Sequence, residues 1–148
     1  MANKAYNIAR FATAQDRDGT YERALAELRE GRKRTHWSWF VFPQLRGLGR
    51  NYNSRFYGIS GLGEARAYMA DTVLAERLRA VCREMTVQAE NGRTPVEVLG
   101  GIDANKFRSC LTLFNTVAPN DVFAEALDKI YGGEPCPLTL KRLETLHI

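Results

Sequence analysis

The chain has 148 residues, 45% hydrophobic and 26% charged, with a formal net charge of +4 and a pI of about 9.1. Those values fit one ordinary globular domain, expected over residues 1–148, and exclude a disordered polar chain. No run approaches the roughly 18 apolar residues of a membrane span, and the start MANKAYNIARF has no apolar signal-peptide core, so the expected setting is a reducing cytoplasm without membrane attachment.

The apolar pattern is helical almost throughout. Ile8, Phe11 and Ala12 predict a short first helix over residues 7–15. Asp18-Gly19-Thr20 offers a cap for a second, in which Tyr21, Ala24, Leu25 and Leu28 form an i, i+3, i+4, i+7 stripe. Gly31 stands where a left-handed terminator belongs. Residues 37–42 are a short apolar run that suits either a strand or a helical turn, closed by Pro43. Residues 44–53, with Gly47 and Gly49, are expected to be a loop.

Residues 61–70 predict another helix, and Asp71 caps a longer one with Leu74, Leu78, Val81, Cys82 and Met85 inward. Asn91-Gly92 stops it. Thr94-Pro95-Val96-Glu97 is a capping box with proline at the first helical position. After Gly100-Gly101, Asp103 is expected to cap a helix that buries Phe107, Cys110, Leu111 and Phe114. Asn120 or Asp121 caps a further helix ending at Gly132-Gly133. Leu138, Leu140, Leu143 and Leu146 suggest a last helix in the tail, residues 137–148. The predicted fold class is all-α, a single compact multi-helix domain with a short irregular aromatic-basic segment.

That segment, residues 32–57, carries the chemistry. It holds Trp37, Trp39, Phe40, Phe42, Tyr52, Phe56 and Tyr57 together with Arg32, Lys33, Arg34, Arg46, Arg50 and Arg55, and no acid. Lys33, Arg34, Arg46 and Arg50 are candidate phosphate clamps, an arginine fork giving two hydrogen bonds and a lysine a point charge. Backbone N–H groups at Gly47 and Gly49 can approach an anion closely. Trp37 or Trp39 can stack on a base, although such rings more often lie in the core. Gln44 supplies an amide beside them. His36 is a candidate general base, or a histidine packed beside Trp37 and bonded to backbone. Lys106 and Ser109 share a helix face. Lys106 falls in the expected first turn of its helix, where the dipole does not favour a cation.

Cys82, Cys110 and Cys136 are odd in number and widely spaced, and the two histidines lie far apart. Neither a disulfide framework nor a metal site is expected, and no cofactor is called for. Cys82 and Cys110 suit buried positions. The expected partner is a nucleotide-like small molecule. Nucleic acid ranks below it, because the net charge is small and the cations occupy one segment.

The block His36-Trp37-Ser38-Trp39-Phe40-Val41-Phe42-Pro43-Gln44-Leu45, then Gly47-Leu48-Gly49, resembles a bacterial family labelled domain of unknown function 1810, often automatically named calpastatin. The likeness also takes in FATAQ at residues 11–15, Gly31-Arg32-Lys33, Tyr57-Gly58-Ile59, Lys106 with Ser109, Thr112-Leu113-Phe114 and Tyr131-Gly132-Gly133. Where members often show Ser-Ser, this chain has Ser109-Cys110. The resemblance implies a mainly helical fold and no established activity. The calpastatin name does not suit a chain this apolar, since inhibitors of that kind are disordered. Lys106-Phe107, Thr116 and Asp128…Tyr131-Gly132 are similar to the closing half of the NAD- and ADP-ribose-associated family, with Tyr131 in place of its Trp.

Two readings follow. One is a binder, or hydrolase, of a phosphate-bearing nucleoside such as an ADP-ribose derivative, with Glu27, Glu64 or Asp128 as the acid that glycosidic chemistry needs. The other is a helical protein–protein interaction module, in which the rings are core and the cations meet an acidic partner.

Overall fold

The two longest helices follow the two longest apolar stripes. In the computed structural model, which describes residues 6–146, α6 spans Thr72–Glu90 and α8 spans Gly101–Val117. The first five residues of the chain start inspected for a signal, and His147 and Ile148 of the tail, lie outside the described residues. α6 buries Leu74, Leu78, Val81, Cys82 and Met85, and α8 buries Phe107, Cys110, Leu111 and Phe114. α9 (Val122–Tyr131) lies against both through Phe123, Ala126 and Leu127. α5 (Leu62–Ala70) also packs on both.

The remaining helices close this core. α1 (Ala9–Asp16) leads through a 3₁₀ turn, Arg17–Gly19, into α2 (Thr20–Glu30), which packs on α6. α7 (Pro95–Leu99) opens on the expected capping box, with Thr94 and Glu97 bonded reciprocally. α10 (Pro137–Thr145) lies on α8. The fold is all-α. Among the described residues no strand forms, and the one β feature is an isolated parallel bridge between Leu45 and Ile59. No described helix is long and apolar enough to cross a membrane.

Of the two forms open to residues 37–42, the chain takes the helical turn, α3 (Ser38–Val41). Three local expectations need correction. The loop after Pro43 ends early, at α4 (Tyr52–Phe56), where Asn51 caps by accepting the Ser54 N–H. Asp103 does not cap α8. Gly100 turns the chain with φ 87°, so the helix starts at Gly101 and Asp103 sits in its first turn. Lys106 therefore lies beyond the first turn, and the dipole misfit expected there disappears. In the tail, Leu138 and Leu140 are exposed, whereas Thr139 is buried against Ser109.

One carboxylate holds the aromatic-basic segment to this scaffold. α2 ends at Gly31 in the left-handed conformation, φ 85°. The Gly31 N–H donates to Leu28 O and the Arg32 N–H to Glu27 O, a Schellman turn that folds the chain back beside α2. There the buried Glu27 carboxylate accepts the backbone N–H groups of Arg34 (2.8 Å) and Thr35 (3.1 Å), the Thr35 hydroxyl (2.7 Å) and the Trp37 indole N–H (2.9 Å). Trp37 is thereby pinned at 0% exposure against Phe42, which packs in turn on Phe107 of α8.

Burial alone would raise the Glu27 pKa. The donors from Arg34, Thr35 and Trp37 outweigh it and lower the pKa from 4.5 to about 2. A carboxylate whose folded pKa is depressed stabilises the protein above its unfolded pKa and loses that contribution as pH falls through the folded value. Stability should thus decline between about pH 4.5 and 2, by about 3 kcal/mol from this group. Glu27→Gln should remove that part of the acid dependence, and Glu27→Ala, which orphans four donors, should cost about 3 kcal/mol or more at neutral pH. Urea unfolding as a function of pH measures both.

Candidate functional site

Helical spacing puts Ile102, Asn105, Lys106 and Ser109 on one face of α8. That face forms one wall of a cleft of about 370 Å³. Gln44, Leu48, Gly49, Arg50, Asn51 and Ser54 form the opposite wall, and Cys136 and Leu138 close it at the start of α10. The volume lies in the range of small-molecule sites, about 300–1,000 Å³. The lining is mixed, with Leu48, Ile102 and Leu138 on the apolar side and three amides, Arg50 and Lys106 on the polar side. No carboxylate lines it.

Lys106 is the best-positioned charge. Its Nζ lies 4.9 Å from the centre of the Trp39 ring and 3.7 Å from an oxygen of Asp103. A cation over an indole face is held in place at low entropic cost. Trp39 borders a recess of about 10 Å³, room for about one small polar atom, shared with Gln44, Ser54 and Lys106, all of which also line the cleft. The Trp39 indole N–H is buried and has no hydrogen-bond partner among the described residues. An orphaned buried donor costs about 1–3 kcal/mol, and an incoming acceptor removes that cost.

The structure divides the predicted site residues. Gln44, Gly49, Lys106 and Ser109 come together at the cleft, and Trp39 adjoins it. Ser109 shares its hydroxyl with Thr139 at 2.6 Å and serves packing at the cleft floor. Lys33 is elsewhere. Its ammonium is nearly buried, ion-paired to Asp103 at 2.9 Å and set over the Trp37 ring. Arg34 is exposed and pairs with Glu30. Trp37 is core and cannot stack on a ligand. His36 is exposed, not packed beside Trp37. Gly47, at φ 100°, lies under the guanidinium of Arg142.

Arg46 faces a second groove of about 390 Å³, with Arg10, Arg55, Phe56 and Glu64 among its lining. Arg10 is consumed there. It donates to Phe56 O, Asn7 O, Gly58 O and the Glu64 carboxylate. The nominated acids fare similarly. Glu27 and Glu64 are locked into the scaffold, and Asp128 is exposed on α9 and lines neither groove. Tyr131 packs on Phe107 and donates to Ala104 O, so the residues similar to the ADP-ribose-associated motif do not converge on one pocket. Among the described residues no cluster of His, Cys, Asp or Glu is fit to hold a metal ion.

Asn51, Asn105, Ile102, Cys136 and Leu138 were missing from the predicted set. The α8 residues among them carried a signal, being the neighbours of Lys106 and Ser109 on one helix face. The others depend on how loops meet, which periodicity does not encode.

Asp103 bridges both lysines, so its removal separates structure from site. Asp103→Ala should cost about 2 kcal/mol by leaving the nearly buried Lys33 unpaired. Lys106→Ala, whose ion pair is long and partly exposed, should cost under about 1 kcal/mol. Denaturant midpoints for the two variants check the contrast.

No curated protein matches the chain. Among solved structures, the conserved hypothetical protein Rv1873 from Mycobacterium tuberculosis is similar at 40% sequence identity and a TM-score of 0.86, over 94% of this chain and 97% of that one. A family model described as "Protein of unknown function (DUF1810)" matches residues 5–143, and the chain belongs to that family.

Proposed function

We propose that the cleft between residues 44–54 and α8 binds an anionic small molecule of nucleotide size, a phosphate-bearing nucleoside such as an ADP-ribose derivative. The observation that supports this is Lys106, fixed over Trp39 at the mouth of a recess whose indole N–H lacks an acceptor. Lys106 and Arg50 would meet the phosphate, the Gln44, Asn51 and Asn105 amides the polar edge, and Leu48, Ile102 and Leu138 the flat body of the ligand. Binding is favoured over hydrolysis, because glycosidic cleavage needs a carboxylate at the reacting centre and none lines the cleft.

The interaction-module reading gains from two other observations. Trp37 is core, and Ile102 and Leu138 are 76% and 68% exposed at the cleft rim. Apolar rim residues also suit a ligand's body, and a partner protein lying across the rim does not reach the buried Trp39 indole N–H.

Thermal-shift titration with ADP-ribose, AMP and NAD discriminates the readings. Ligand at about a hundred times Kd should stabilise by about 2.7 kcal/mol, a rise of roughly 5–10 °C for a domain of this size. The rise should vanish in Lys106→Ala and shrink in Arg50→Ala. No rise with any of the three, or an equal rise in Lys106→Ala, overturns the proposal.

A further inference from the structure

The acid-free segment splits into neutralised and unneutralised cations. Lys33 and Arg34 have carboxylate partners. Among the described residues Arg46, Arg50, Arg55 and Arg142 have none, and three of them bond their guanidinium groups to the backbone of residues 46–58 instead. Arg46 donates to Gly58 O, Arg55 to Arg50 O, and Arg142 to Arg46 O at 3.2 Å. Arg46, Arg50 and Arg55 are exposed.

Between these charges α4 presents two rings to solvent. Tyr52 is 66% exposed and Phe56 39% exposed. Their positions, i and i+4, bring the rings into a near-parallel stack, centres 5.7 Å apart and planes 10° from each other. Stacked on each other, the two rings form one exposed aromatic patch rather than two scattered side chains, and contiguous apolar patches are where surfaces make contacts. Asn51 caps α4, and the bonds Arg10 makes to the Phe56 and Gly58 carbonyls tie its C-terminal end to α1.

We propose that this strip, from Arg50 over the Tyr52–Phe56 platform to Arg55, Arg46 and Arg142, docks single-stranded nucleic acid. Every base has a flat face that stacks on an aromatic ring, and the flanking arginines meet the phosphates without sequence preference. A duplex conceals its base faces, and an acidic peptide has charge but no rings to stack. The modest net charge of +4 does not weigh against the strip, because Arg46, Arg50 and Arg55 stand on one short loop and Arg142 bonds its backbone at Arg46 O. The ring platform is distinct from the small-ligand cleft, which neither Tyr52 nor Phe56 lines, and Arg50 is the residue of the strip that also borders that cleft.

The test is fluorescence anisotropy with the whole protein and labelled oligothymidylate and oligouridylate of roughly twelve nucleotides. At about 50 mM salt, binding is expected at about 1–100 µM, and four phosphate contacts give a log K against log salt slope of about −3. Tyr52→Ala should weaken binding about fivefold or more, and Phe56→Ala similarly. Arg55→Ala should make the slope shallower by about 0.7. Tyr52 is exposed enough that its variant keeps the fold, with an unchanged melting curve as the check. Absence of binding overturns the proposal. So does affinity indifferent to Tyr52→Ala and Phe56→Ala, and so does equal affinity for a blunt duplex or for an oligoglutamate peptide.

Discussion

The Glu27 carboxylate is the contact on which the irregular half of the molecule depends. A buried charge survives only when its lone pairs are satisfied, and Glu27 has four donors from a seven-residue loop. Because one of those donors is the Trp37 indole, the carboxylate also sets the depth of that ring. Trp37 then orients Phe42, and Phe42 meets Phe107 on α8. Position along this chain of contacts decides where Trp39, two residues on, faces Lys106. An ionised group in a helix thus fixes the geometry of a cleft wall that it does not touch.

The helices were legible because each carries its own local signal. The stripe of α6, the capping box of α7 and the left-handed Gly31 and Gly132 all act within one or two turns. The start of α8 was misjudged because Asp103 has the residue type of a cap, yet its carboxylate is drawn to Lys33 and Lys106 instead. A sequence window holds no trace of Lys33, seventy positions earlier. α4 escaped notice for a related reason: five residues give too little period to distinguish from loop.

The site was legible in composition but not in arrangement. Counting rings and cations in residues 32–57 located the right stretch of chain. It gave no hint that Lys33 and Arg34 would meet carboxylates and Trp37 enter the core, while Arg46, Arg50 and Arg55 have no carboxylate partner among the described residues. What separates them is the supply of carboxylates. Glu30 and Asp103 pair with the first half of the stretch, and Glu64, the acid that lines the groove beside Arg46 and Arg55 among the described residues, is already held by Arg10 and by the Ser60 N–H. The bridge between Leu45 and Ile59 ties off that second half as a single protruding loop. One of its faces borders the cleft with Lys106, and the other borders the groove with Arg46.

The chain has only two indoles, and they sit in opposite states. Trp37 donates to Glu27, and Trp39 donates to nothing among the described residues. Nitrogen-15 correlation spectra during a titration with ADP-ribose therefore report on the cleft directly. The account predicts a saturable shift of the Trp39 indole N–H as it gains an acceptor, with the Trp37 indole N–H unmoved. Two stationary indole signals at saturating ligand, or two that move together, would contradict it.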